Sequence, residues 1–140
     1  MVEGLIVPTE ELLSDLSDMV GQKGDPYDIG CSENSIEAMC DFASSINNQK
    51  KIRTVKSWQW WDLQVPCNIK FPDSLMPIMI YASSLVSDSA YYLRPGDWVR
   101  STPLLSIHER CITETTNSFY ILVGPGTRKT VTLESALSFV

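Results

Sequence analysis

The sequence predicts an α+β domain, with an acidic helical first third, an antiparallel meander sheet able to curl toward a barrel, and a short C-terminal helix. Three observations point there. Apolar residues recur every three to four positions in two stretches before residue 50. β-Branched and aromatic residues become dense from residue 51. Charge divides at the same place: residues 1–50 carry ten acidic and two basic side chains, net −8, whereas residues 51–140 carry seven acidic and nine basic, net +2. At 140 residues, 44% apolar and 20% charged, the chain has material for one packed core. Residues 1–140 therefore read as a single domain, helical over 1–50 and mainly sheet over 51–140.

The first helix is expected over EELLSDLSDMV, with Thr9 as its N-cap. Leu12, Leu13, Leu16, Met19 and Val20 form its apolar stripe, and Glu10, Glu11, Asp15 and Asp18 the opposite face. Gly21 and Gly24 end it, and the turn-rich segment 21–34 reads as a loop. A second helix, over about 35–47, starts from a capping box at Asn34–Glu37 and carries Ile36, Met39, Cys40, Ala43 and Ile46 inward.

KIRTVKSWQWWDLQV then reads as a strand with Trp58 and Trp60 on one face and Trp61 and Leu63 on the other, so both faces need cover. Pro66, Pro72 and Pro77 mark a loop. A short strand follows at 78–82, and Asp88–Ala90 reads as a connection. The meander continues with strands near 97–101, 104–114, 117–123 and 128–132. Phe119–Val123 is apolar on both faces, as a central strand would be. Thr132 caps a last helix carrying Leu133, Ala136 and Leu137.

FYILVGPGTRKT, residues 119–130, raises the question of a phosphate loop. Such a loop needs G-x-x-x-x-G-K-[ST] between a strand and a helix. Here Arg128 precedes Lys129, Pro125 offers no N–H, and strand-like Thr130–Thr132 comes next. Gly124–Thr127 instead predicts a type II turn between two strands, with Pro125 at i+1 and Gly126 at i+2. Arg128 and Lys129 beyond its tip remain cations that an acidic partner or a small anion could reach.

Other chemistry is sparse. Cys31, Cys40, Cys67 and Cys111 lack C-x-x-C spacing and share one histidine, His108, so no zinc site is expected. His108 and Cys111, three apart on a strand, would face opposite ways. No carboxylate pair or nucleophile–base pair stands out, and neither cofactor nor metal is expected. The WQWW cluster invites a base-stacking or sugar-binding reading but suits a core strand better. RPGDWVRST, residues 94–102, places Trp98 and Arg100 on one face, the composition of an interface hot spot. No apolar run is long enough for a membrane span and no signal peptide stands out, so a soluble cytoplasmic protein is expected. The net charge of −6 disfavours direct nucleic-acid binding.

PGDWVRST at 95–102, Cys111 with Glu114-Thr115, NSFYILVGPGTRK at 117–129 and the closing Ser138-Phe139 together resemble a family of small proteobacterial proteins that also occur in prophage and plasmid regions. The resemblance is specific at those blocks, looser over 52–94, and does not reach the acidic first third. It implies no established activity and no catalytic residues, only an accessory protein of a mobile element in the cytoplasm of a bacterial host. The resulting expectation is a non-enzymatic binding protein that blocks a host protein or complex, such as an anti-CRISPR-like inhibitor of a defence system. Its expected partner-binding residues are Trp98, Arg100, Arg128, Lys129, Glu11, Asp15 and Asp18. Two other readings stand beside it: a nucleotide- or anion-binding domain using the GPGTRK turn, and an antitoxin or immunity protein.

Overall fold

A computed structural model describes Gly21 and residues 24–138. The helix expected over residues 9–20, with Glu11, Asp15 and Asp18, lies outside the described residues. The described chain runs through β1 (Asp25–Tyr27), a 3-10 turn (Glu33–Ser35), α1 (Ile36–Ile46), β2 (Lys51–Gln64), β3 (Ile78–Asp88), β4 (Val99–Arg100), β5 (Ser106–His108), β6 (Ile112–Glu114), β7 (Ser118–Leu122), β8 (Gly126–Thr132) and α2 (Leu133–Ser138).

One eight-stranded sheet contains every described strand, and its spine is β2. β3 lies antiparallel along β2 from Arg53 to Asp62 and so fills one edge. On the other edge β7 pairs with Lys51–Val55 and β8 with Gln59–Gln64, both in parallel. The sheet is therefore mixed, not the antiparallel meander expected. The hairpin expected at Gly124–Thr127 is also absent, because β7 and β8 run end to end in one direction along β2. A Gly-Pro-Gly between two apolar strands carries the same local signal whether the chain reverses or kinks. Only the shared partner, distant in sequence, separates the two outcomes.

The kink lies where both long strands bend. Ser57 in β2 has φ 53° and Gly124 has φ 70°. Four residues, 123–126, span the gap that residues 56–58 span on β2, so the continuing strand holds one extra residue, as in a bulge. The bend at Ser57 also resets the alternation of side chains. Val55 and Trp58, three apart, enter the same core cluster, whereas a regular strand would separate them.

The two faces are covered differently. On one, Val55, Trp58, Trp60, Ile80, Val99, Tyr120 and Leu122 pack with Tyr27 from β1 and Ile107 from β5. These strands lie at opposite ends of the sheet and no described helical residue joins them, so this face closes by the sheet curling onto itself. On the other face, α1 sets Met39, Cys40 and Ala43 against Ile112, Phe119 and Ile121. Further along, α2 sets Leu133 and Ala136 against Trp61, Leu63 and Met79. The Trp58/Trp60 and Trp61/Leu63 faces are thus as the alternation predicted.

Local differences have local causes. The strand expected over 104–114 is a β5–β6 hairpin, turned by Glu109 and Arg110 at φ 52° and 59°, a primed turn that twists with its strands. β3 extends to Asp88, whose carboxylate accepts from the N–H of Ala90 at 3.0 Å and of Leu93 at 3.1 Å. β1 falls in the segment read as loop. Ser35 makes no capping bond, and a 3-10 turn leads into α1 instead of the predicted box. Thr132 does cap α2, its hydroxyl accepting from Ser135 N–H at 3.2 Å.

The two kink glycines separate strain from crowding. A Cβ at Gly124 meets open space at φ +70°, whereas one at Gly126 would lie 2.5 Å from Cε3 of Trp58. Gly124→Ala is expected to cost about 1–2 kcal/mol, and Gly126→Ala about 3 kcal/mol with a changed tryptophan emission spectrum. Urea unfolding of both variants checks the order.

Candidate functional site

The connection from β3 to β4 is where the molecule exposes side chains that usually pack. Asp88 ties down its start through Ala90 and Leu93, and Asp97 ties down its end by accepting from Arg94 N–H at 2.9 Å. Between these anchors Tyr91 is 90% exposed and Tyr92 71%, with Trp98 44% exposed beyond them. Tyr91 holds φ 59°, a conformation unusual for a bulky side chain. Lys51 Nζ lies 4.9 Å from the centre of the Tyr92 ring, a cation–π contact. Trp98 stacks on Tyr81 at 6.3 Å, and Tyr81 stacks on Trp61 at 5.4 Å.

Beside this loop, Arg53, Leu93, Asp97, Trp98 and Arg100 line a cleft of about 390 Å³. Burial pulls the Arg100 pKa below its ordinary value, and its Nη1 donates to Ser101 O at 3.2 Å. Arg53 Nη1 donates to the Tyr120 hydroxyl at 3.0 Å, while its Nε, 3.5 Å from Asp88 Oδ2, is buried without a hydrogen bond. The predicted pair Trp98 and Arg100 is thus brought into one cleft. Arg53, Tyr91 and Tyr92 were not singled out, although the Tyr-Tyr dipeptide before Leu-Arg-Pro-Gly is the signal that could have found them.

Arg128 and Lys129 lie elsewhere, on β8. Arg128 donates from Nε and Nη2 to the two oxygens of Asp62, at 2.7 and 3.0 Å, and from Nη1 to the Tyr27 hydroxyl at 3.1 Å. Its guanidinium also lies over the rings of Tyr27 and Trp60, at 4.9 and 5.4 Å. Hydrogen bonding to Asp62 raises its pKa further. A guanidinium so engaged serves the β1–β8–β2 junction. Lys129, next along the strand, also lines the shallow cleft at this junction.

His108 meets Ser106 and Glu114, the residue types of a hydrolytic triad, in a different arrangement. Both Ser106 Oγ, at 3.0 Å, and Glu114 Oε1, at 2.9 Å, approach the same nitrogen, Nε2. A triad needs the acid on the other nitrogen so that Nε2 is left to take the serine proton. Ser106 Oγ donates directly to Glu114 Oε1 at 2.9 Å, and Lys50 Nζ donates to Glu114 Oε2 at 2.5 Å. Burial alone would raise the Glu114 pKa. The hydrogen bonds from Lys50, His108 and Ser106, with the Lys50 charge, outweigh it and hold that pKa at about 2.

The thiols of Cys31, Cys40 and Cys111 are not poised as nucleophiles. Burial raises the pKa of Cys31 and Cys40 and pushes Cys111 up to about 12, with Cys31 beside it adding to the shift. Among the described residues no group of three or more Cys, His, Asp or Glu is placed to hold a metal, and no helix is long and apolar enough to cross a membrane.

Residues 28–138 match a family described as a domain of unknown function, DUF6957, and the chain belongs to that family. The match takes in PGDWVRST and NSFYILVGPGTRK and begins at residue 28, so it extends into the acidic first third that the resemblance did not reach. No curated protein and no solved structure matches the chain.

The Glu114 cluster has a pH signature. With its folded pKa at about 2 against about 4.3 unfolded, Glu114 adds stability above pH ~4 that is lost as pH falls toward ~2. Glu114→Gln is expected to unfold about 2–3 kcal/mol more easily at pH 7. That difference should shrink steadily between about pH 4.5 and 2, as read by urea titrations across the range.

Proposed function

We propose that this DUF6957 protein is a non-enzymatic binding protein that docks on an acidic partner protein through its β3–β4 loop. The observation that carries the reading is the adjacent pair Tyr91 and Tyr92, 90% and 71% exposed on a loop whose ends are both hydrogen-bonded. Folding alone does not call for two tyrosines in water. A partner would gain large rigid rings that lose little conformational entropy on burial. Lys51 lies over the Tyr92 ring, Arg94 follows two residues on, and Arg53 and Arg100 line the neighbouring cleft. Set against the two anchoring acids Asp88 and Asp97, bases outnumber acids here on a chain of net charge −6. Aromatic and arginine side chains together are the usual composition of binding hot spots, and their charge favours an acidic surface.

Blocking a host macromolecule, in the manner of a mobile-element inhibitor of a defence system, is the concrete form of this reading, and the loop would be its contact surface. Anion binding at the GPGTRK segment draws less support, because Asp62 already takes two N–H groups of Arg128.

The test uses partner captured by the wild-type protein from bacterial lysate. Tyr91→Asn, which keeps a residue tolerant of positive φ, combined with Tyr92→Ala should weaken capture by about thirtyfold or more. The denaturation midpoint should stay within about 0.5 kcal/mol of wild type. Arg94→Glu should weaken binding further at low salt than at high salt. Undiminished capture by the double variant would sink the reading.

A further inference from the structure

At the bend of the two long strands opens a notch of about 380 Å³, walled in part by Trp58, Pro125 and Gly126. That volume is at the small end of ligand pockets, which run from about 300 to 1,000 Å³. Trp58, Gln59 and Tyr81 form a buried floor, and Ser57, Ser83 and Pro125 an exposed rim. We infer that this notch binds a small uncharged ligand rich in hydroxyl groups, the chemistry of a monosaccharide ring or of the ribose of a nucleoside.

Three features set the ligand's chemistry. Among the described residues no charged side chain lines the notch, so nothing there would offset the desolvation of an ionic ligand. The Tyr81 ring stacks on Trp61 at 1° and 5.4 Å and on Trp98 at 30° and 6.3 Å. A buried ring already stacked on two others is a poor platform for a flat base. The polar groups are hydroxyls and one carboxamide: Ser57, Ser83, Thr127 and Gln59. Gln59 is held in place by accepting from Trp61 Nε1 at 3.0 Å.

Thr127 supplies the independent sign of a missing partner. Its Oγ1 is buried with no hydrogen bond among the described residues, a costly state that native interiors seldom keep without a reason. Thr127 lines the notch. A turn of ~120° around its Cα–Cβ bond, from one staggered rotamer to the next, carries the hydroxyl into the place of the methyl and the methyl into that of Hβ, a route by which the hydroxyl can meet a ligand. The notch itself is built by strain and omission. Ser57 keeps positive φ in the middle of a strand, and Gly126 lacks the side chain that would collide with Trp58. Strained backbone and small residues of this kind gather where a ligand approaches a strand.

The test is a two-dimensional amide NMR titration of the full chain with glucose, galactose, adenosine and glucose 6-phosphate, each at millimolar concentration. Shifts confined to residues around 57–59, 81–83 and 125–127 with the neutral compounds, and weaker ones with the phosphate, are expected. A hexose preference assigns a free sugar, and an adenosine preference a nucleoside. Thr127→Val should bind about fivefold or more weakly while unfolding no earlier than wild type, since the lost hydroxyl had no partner. Ser83→Trp, at the exposed rim, should fill the notch and abolish the shifts. No shift with any neutral compound, or shifts that persist in Ser83→Trp, overturn the inference. Neither result bears on the β3–β4 loop, whose tyrosines lie outside the notch.

Discussion

Trp58 donates its indole N–H to the carbonyl of Gly124 across 2.9 Å, and the shape of the sheet depends on that bond. It joins the two bends, one in β2 and one between β7 and β8, at a single level. The backbone there stays paired: Val123 N–H reaches Val55 O at 2.9 Å, and Gly124 N–H reaches Cys31 O at 2.8 Å. A kink in the middle of a sheet ordinarily exposes donors and acceptors to an apolar interior. Here an indole and a passing segment at Cys31 take them up, so the sheet curls without leaving its ladder unsatisfied.

The curl then decides which element covers which face. Because one face packs against itself, the described helices are both free to serve the other face, α1 over Phe119 and Ile121 and α2 over Trp61 and Met79. Neither described helix contributes a residue to the lining of the notch at Ser57 and Thr127. At the β3–β4 loop, β4 pairs with β3 through two residues and Gly96 and Asp97 bond Leu85 through their backbone, so the Asp88 and Asp97 carboxylates are left to hold the residues between. Side chains on such a connection can change with little effect on the core.

Much of this was legible in the sequence and some of it could not be. The helix at 36–46, the strand at 51–64, its two tryptophan faces and the Thr132 cap all reflect local periodicity and capping chemistry. Trp98 and Arg100 were singled out from composition, and the structure sets them in one cleft. Parallel pairing was not legible, because β2 and β7 are separated by about half the chain and nothing in Lys51–Val55 names Ser118–Leu122 as its neighbour. Ser57 was hidden for a related reason: a serine with positive φ has no compositional marker, unlike the glycine at 124. The Asp62–Arg128 pair escaped notice since its members are 66 residues apart.

That pair explains how a phosphate-like motif can be structural. Apolar strand, glycines, then Arg-Lys-Thr suggests a cation waiting for an anion, but the anion here belongs to the chain itself. Asp62 sits on β2 where β8 runs alongside in parallel, offset by two residues from Trp60, which Arg128 directly faces. Trp60 Nε1 also donates to Asp62 Oδ1, at 3.2 Å, so one carboxylate gathers the indole and the guanidinium while Tyr27 closes the other side. Such a cluster tethers the short β1 strand, whose three residues pair with β8 alone. The same residue types would bind phosphate at the N-terminus of a helix, where free N–H groups converge on one point. Arg128, Lys129 and Thr130 instead lie within β8, paired along β2, and a strand turns its N–H groups sideways into the sheet rather than toward one point.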